Sequence, residues 1–113
     1  MHEPTVLLFT RFGMGEALPE LQQDLAGKYL SLLMDSDELP GRILFYTEGV
    51  KLACQGSPVS DRLRALEARS VELMLCQTCL DYFGLRERVA VGIVGGMPDI
   101  PEGMQSANKV IGL

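Results

Sequence analysis

The feature that most limits what this chain folds into is a regular alternation along its length. Short apolar runs rich in β-forming residues alternate with stretches whose apolar residues recur every three or four positions. The first pattern predicts buried strands over residues 5–10, 42–47 and 71–76, with further strands over 89–94 and 108–113. The second predicts a helix over about 17–34, where Leu18, Leu21, Leu25, Tyr29, Leu32 and Leu33 draw one stripe. After the second strand, Glu48-Gly49 turns the chain into a short helix that reaches Cys54. Ser57-Pro58 opens the next helix, because serine caps free N–H groups and proline suits the first helical position. Val59, Leu63 and Leu66 mark its buried face. Residues 77–83 predict a short helix stopped by Gly84, and 95–107 contain a weak helical stretch. Strands that are apolar on both faces and alternate with helices predict an α/β fold, a parallel sheet covered on both sides.

With 113 residues the expectation is a single domain spanning 1–113 with a core of its own. The net charge is −5, from 10 Lys and Arg against 15 Asp and Glu, and this balance disfavours nucleic acid as a partner. The longest uncharged apolar run, 89–97, contains three glycines and is too short to span a bilayer, so no membrane role is expected. Met1-His2-Glu3-Pro4 has neither a basic flank nor a cleavage signature, which places the expected location in the cytoplasm.

Chemistry enters through the cysteines Cys54, Cys76 and Cys79. An odd count without an export signal argues against a disulfide scaffold and for free thiols. In an open parallel sheet the functional edge lies at the carboxyl ends of the strands, and all three cysteines fall near that rim. Cys76-Gln77-Thr78-Cys79 is a C-x-x-C at a strand-to-helix junction. Free N–H groups at a helix start favour a thiolate there, with Lys51 and Arg11 as candidate neighbouring cations. On this placement Cys76 ends a strand, extends its side chain to the rim and is the most reactive thiol, with Cys79 close enough to pair with it. Packing competes as an explanation for each, since cysteine is among the most buried residue types, and it competes most strongly for Cys54. No metal is expected, because three cysteines and His2 do not make a convincing four-ligand zinc set. No cofactor is expected either, since Gly13-Met14-Gly15 is followed by Leu18 where a dinucleotide fingerprint needs glycine.

Two segments resemble a known family. Phe45-Tyr46-Thr47-Glu48-Gly49-Val50 is similar to the aromatic–acid–Gly-Val signature after the second strand of the DsrE/TusD family. The run from Cys76 through Gly84-Leu85 is similar to that family's cysteine helix. Residues 41–88 resemble most closely the C-terminal DsrE-like domain of YedF-type proteins, associated with selenium or sulfur metabolism. The resemblance implies a three-layer α/β/α sandwich around a mainly parallel sheet of about five strands. It implies homo-oligomers and a sulfur relay in which a cysteine holds sulfane sulfur as a persulfide. The family's sulfur-carrying cysteine falls on Cys76, a second cysteine of C-G-T-C relatives on Cys79, and the YedF-branch cysteine on Cys54. Glu48, Gly49, Val50 and Thr78 are the accompanying binding positions. Gln77 stands where the C-G-T-C relatives carry glycine. The N-terminal TusA-like domain of YedF-type proteins is not part of this sequence, so the sulfur donor or acceptor is expected on a separate chain. A non-catalytic oligomeric binding module and a thiol redox sensor are the alternative uses of the same rim.

Overall fold

The computed structural model describes residues 3–113. Its elements run β1 (Glu3–Phe9), α1 (Pro19–Asp35), β2 (Pro40–Phe45), a 3₁₀ segment (Thr47–Ala53), α2 (Ser60–Ala68), β3 (Glu72–Cys76), α3 (Gln77–Phe83), a 3₁₀ turn (Arg86–Arg88), β4 (Ile93–Gly95), α4 (Asp99–Gln105) and β5 (Lys109–Gly112). The sheet order is β4-β3-β2-β1-β5, and each ladder between neighbours is parallel. This is the three-layer α/β/α sandwich around a five-stranded sheet that the alternation and the resemblance predict.

The core follows from register. Leu7 lies opposite Ile43 and Phe9 opposite Phe45, so alternate side chains of neighbouring strands share one face. Phe9 and Phe45 stack with ring centroids 5.8 Å apart, and both are fully buried. Arg42 lies opposite Glu72, and the pair closes an ion pair of 3.3 Å across β2 and β3. Gly103 brings α4 down onto Arg42 and Leu44: a Cβ there would stand 2.9 Å from the guanidinium.

Four sequence expectations are corrected in detail. Only part of the stripe expected on α1 faces the core. Tyr29 and Leu33 are half-buried and pack against it, but Leu18 and Leu32 are 78% and 70% exposed, Leu21 and Leu25 are also exposed, and the fully buried residues are Ala26, Gly27 and Leu30. α1 meets α2 there in ordinary packing contact: a Cβ on Gly27 would stand 3.5 Å from the Arg62 guanidinium and 3.8 Å from Val59. Ser57-Pro58 does not open α2, which begins at Ser60. The Ser57 hydroxyl instead accepts the Val59 N–H at 3.2 Å, a local turn that precedes the helix. The second strand stops at Phe45, because Thr47 leaves extended geometry at φ 50°. The fourth strand shrinks to Ile93–Gly95. Gly92 sits at φ 88°, and Val89 makes an antiparallel bridge with Cys54.

Candidate functional site

β1, β2 and β3 deliver their carboxyl ends to one rim. There Phe9 is followed by Thr10, Phe45 by Tyr46 and Thr47, and Cys76 by α3. The chain from β2 turns over the end of β1. The Tyr46 N–H donates to the Phe9 carbonyl at 3.2 Å, and the Gly49 N–H donates to the Tyr46 carbonyl at 3.0 Å. Gly49 is demanded by that crossing, since a Cβ would stand 1.9 Å from the Phe9 carbonyl oxygen. Glycine of the Glu48-Gly49-Val50 signature is therefore a packing requirement, and Val50 beside it is fully buried. The exposed Glu48 carboxylate pairs with Lys51 at 3.2 Å.

Thr47 is the residue that sequence reasoning missed as a site component. The sequence pattern places it as the last residue of a strand, yet it holds a left-handed backbone at φ 50°, a conformation a β-branched residue seldom adopts. Its hydroxyl donates to the Thr10 carbonyl at 2.5 Å and lies 2.6 Å from the Tyr46 carbonyl. Held this way, its backbone N–H points at the Cys79 sulfur, with N···Sγ 3.0 Å. The one available signal was its place between a strand and the Glu-Gly pair.

Cys79 is the third residue of α3 and is partly exposed. Cys76, the residue before the helix, is buried at 1% exposure, so its side chain does not reach out to the rim as expected. The two thiols are neighbours one helical turn apart at the start of α3. Burial, foremost, raises the Cys79 pKa above its ordinary value, the Thr47 N–H works against that rise, and the adjacent Cys76 adds to it. Burial thus opposes the thiolate that the helix start favours. Lys51 does not reverse this. Its ammonium is engaged by Glu48 and lies 4.5 Å over the Phe83 ring.

Cys54 is brought elsewhere. It is 2% exposed and donates to the Val50 carbonyl at 3.2 Å, and burial raises its pKa. It stands at the floor of a cleft of about 410 Å³ lined by Phe12, Lys51, Gln55, Gly56, Phe83 and Leu85, which neither Cys76 nor Cys79 joins. A second cleft, about 510 Å³, opens near Tyr29, Pro40 and Lys109 at the other end of the strands and is not lined by a cysteine. Thr78 is exposed on the first turn of α3. Gln77 has no left-handed backbone, so the exchange of glycine for glutamine leaves the helix start regular. α3 ends at Gly84 (φ 67°), where the Leu85 N–H returns to the Leu80 carbonyl at 2.8 Å.

His2, weighed as a zinc ligand, lies outside the described residues. Among the described residues no three or more His, Cys, Asp or Glu side chains converge as a metal site, and no helix is long and apolar enough to cross a membrane.

The ychN protein from E. coli has the same fold, with a TM-score of 0.73 at 21% identity over 100% of both chains. MTH1491 from Methanobacterium thermoautotrophicum, a protein of unknown function, follows with a TM-score of 0.66 at 18% identity, over 96% of this chain and 98% of its own. No curated protein matches the sequence. Residues 17–113 match the DsrE/DsrF-like family. Because that match takes in α1 through β5, and with them both thiols and Thr47, the chain belongs to the DsrE/DsrF-like family.

Proposed function

We propose that this chain is a sulfur-relay protein that carries sulfane sulfur, or its selenium analogue, as a persulfide on Cys79 of the C-x-x-C. The observation that carries the reading is the arrangement around Cys79: a partly exposed thiol at the rim, gripped at 3.0 Å by the Thr47 N–H and backed by a second thiol. Cys79 is the thiol that meets the donor, because Cys76 has almost no exposed surface. In the loading step Cys79 gives up its thiol proton, which balances the donor thiolate that leaves, and its sulfur attacks the outer sulfur of a donor persulfide. A new S–S bond forms on Cys79, and the donor leaves as a thiolate. The thiol's raised pKa suits a carrier, since a protonated thiol reacts slowly with stray electrophiles and waits for a docked donor.

The donor and acceptor are separate chains, in the reducing cytoplasm where free thiols persist. The working unit is one DsrE-like domain of the YedF-like branch, assembled as a homo-oligomer. Exposed Ile93 and Val94 on the edge strand β4, with exposed Met97 just after it, support the assembly as an apolar edge. Incubation with a cysteine desulfurase and cysteine is expected to add one sulfur atom, about 32 Da, at the earliest times sampled. Cys79→Ser is expected to abolish the gain. No gain at any time, in wild-type or Cys76→Ser protein, defeats the reading. A loss of about 2 Da on mild oxidation without a donor instead marks a redox sensor, and neither change leaves a binding module.

A further inference from the structure

The relay reading leaves one nucleophile without a task, the buried Cys76. We propose that Cys76 unloads Cys79 internally: it displaces hydrosulfide from the Cys79 persulfide and closes a Cys76–Cys79 disulfide. This goes beyond carriage, to a sulfide-releasing activity of the same pair, and it rests on the relay reading above.

Three observations converge on it. Cys76 is 1% exposed, so no partner protein reaches its sulfur without opening the fold. Cys76 is the residue before α3 and Cys79 the third residue in it, so Cys79 is its neighbour one helical turn on, whereas Cys54 is turned to the Val50 carbonyl. Finally, the sulfur it meets is Cys79 Sγ itself, which the Thr47 N–H holds in place. In a loaded carrier that atom is the inner sulfur of the persulfide. Attack on an inner sulfur expels the outer one, whereas attack on the outer sulfur only moves the cargo.

The chemistry balances within the pair. Cys76–SH and Cys79–S–SH give Cys76–S–S–Cys79 and H₂S. The Cys76–Cys79 S–S bond forms as the bond between Cys79 Sγ and its outer sulfur breaks. The proton of the Cys76 thiol matches the hydrosulfide that leaves. The outer sulfur is reduced to sulfide while the Cys76 sulfur is oxidised to the disulfide level, so no further oxidant takes part. Cargo not collected by an acceptor is released as sulfide, and the empty carrier is left in a locked form that accepts no more sulfur until a thiol reduces it.

The test is anaerobic loading with glutathione persulfide, with released sulfide and intact mass followed together. Wild-type protein is expected to pass from a gain of about 32 Da to a loss of about 2 Da, with about one equivalent of sulfide per chain. Peptide mapping of that product is expected to show a Cys76–Cys79 disulfide, a readout that needs no variant. Cys76→Ser and Cys76→Ala are expected to keep the added sulfur and lose the sulfide release. A wild-type adduct as long-lived as that of either variant, with no disulfide, overturns the internal unloading and leaves the relay standing. Failure of every form to take up sulfur overturns the relay reading and the unloading with it.

Discussion

Gly49→Ala is the sharpest test of how the rim is built. The added methyl carbon would stand 1.9 Å from the Phe9 carbonyl oxygen, 2.5 Å from its carbon and 3.1 Å from the Thr10 nitrogen. Carbon–oxygen contacts of this kind settle at about 3.3–3.6 Å, so the two backbones must part by more than about 1 Å. Neither side yields easily. The Phe9 carbonyl is fixed by the Tyr46 N–H, and the Phe9 ring is stacked in the core. Overpacking of a dense core costs about 1–3 kcal/mol, and the strained or lost Tyr46 bond adds about 1 kcal/mol. The expected loss is about 3 kcal/mol, a drop of about 12 °C in Tm for a domain of this length. Urea unfolding followed by circular dichroism gives the number, with an unchanged m-value as the check that only the folded state is affected. Gly84→Ala is the internal control. It meets nothing within 4 Å and has only its left-handed φ of 67° to overcome, worth about 1–2 kcal/mol. If Gly49→Ala costs no more than Gly84→Ala, the 3₁₀ segment does not cross β1 as closely as described.

Three further outcomes follow from the same geometry. Thr47→Val removes the hydroxyl tether and disfavours the left-handed backbone, and is expected to slow Cys79 alkylation at pH 8 several-fold. Thr47→Gly, which keeps that backbone accessible, is expected to stay near wild type, and equal rates for the two variants would refute the role given to the Thr47 N–H. Iodoacetamide mapping is expected to modify Cys79 first, with Cys76 and Cys54 protected until the protein unfolds, and early labelling of Cys76 would reverse the order of roles. Because burial raises the Cys54 pKa, the folded state holds its proton above the ordinary value of 9.0 while the unfolded chain loses it. Folding stability is therefore expected to be intact below about pH 9 and to fall as pH rises beyond it. Cys54→Ala is expected to flatten that fall in urea midpoints measured from pH 8 to 10.5, and an unchanged slope counts against it.

The order of strands and helices along the chain was legible because buried parallel strands write themselves as continuous apolar runs, and β1, β2 and β3 do so. The facing of α1 was not. A stripe of leucines is the strongest helical signal in the chain, but the packed face of α1 centres on Ala26, Gly27 and Leu30, with Tyr29 and Leu33 at its margin, and leaves Leu18, Leu21, Leu25 and Leu32 outside. Hydrophobic periodicity measures where apolar residues lie and carries no information on which side the next helix covers. At the site, the C-x-x-C located both thiols, since a strand-to-helix junction brings positions three apart together. Which thiol is open to solvent was not legible, because it depends on the direction in which the last residue of β3 points. Thr47 was hidden for a related reason: its left-handed backbone is imposed by the Thr10 carbonyl, a partner 37 residues away.

The placement of β5 beside β1 has a consequence for how the molecule is made. β1 meets β2 after a single helix, but its other neighbour is some hundred residues further along the chain. At a synthesis rate of about 5–20 residues per second, that second edge waits about 5–20 s for its partner. During that interval Val6 and Leu8 sit on an open ladder with free backbone groups, the most adhesive surface a nascent chain presents. The last step of assembly is therefore a long-range closure that no local propensity accelerates, so the folding rate is expected to be most sensitive to changes in Val110 and Ile111 if the β1–β5 ladder is already formed in the transition state.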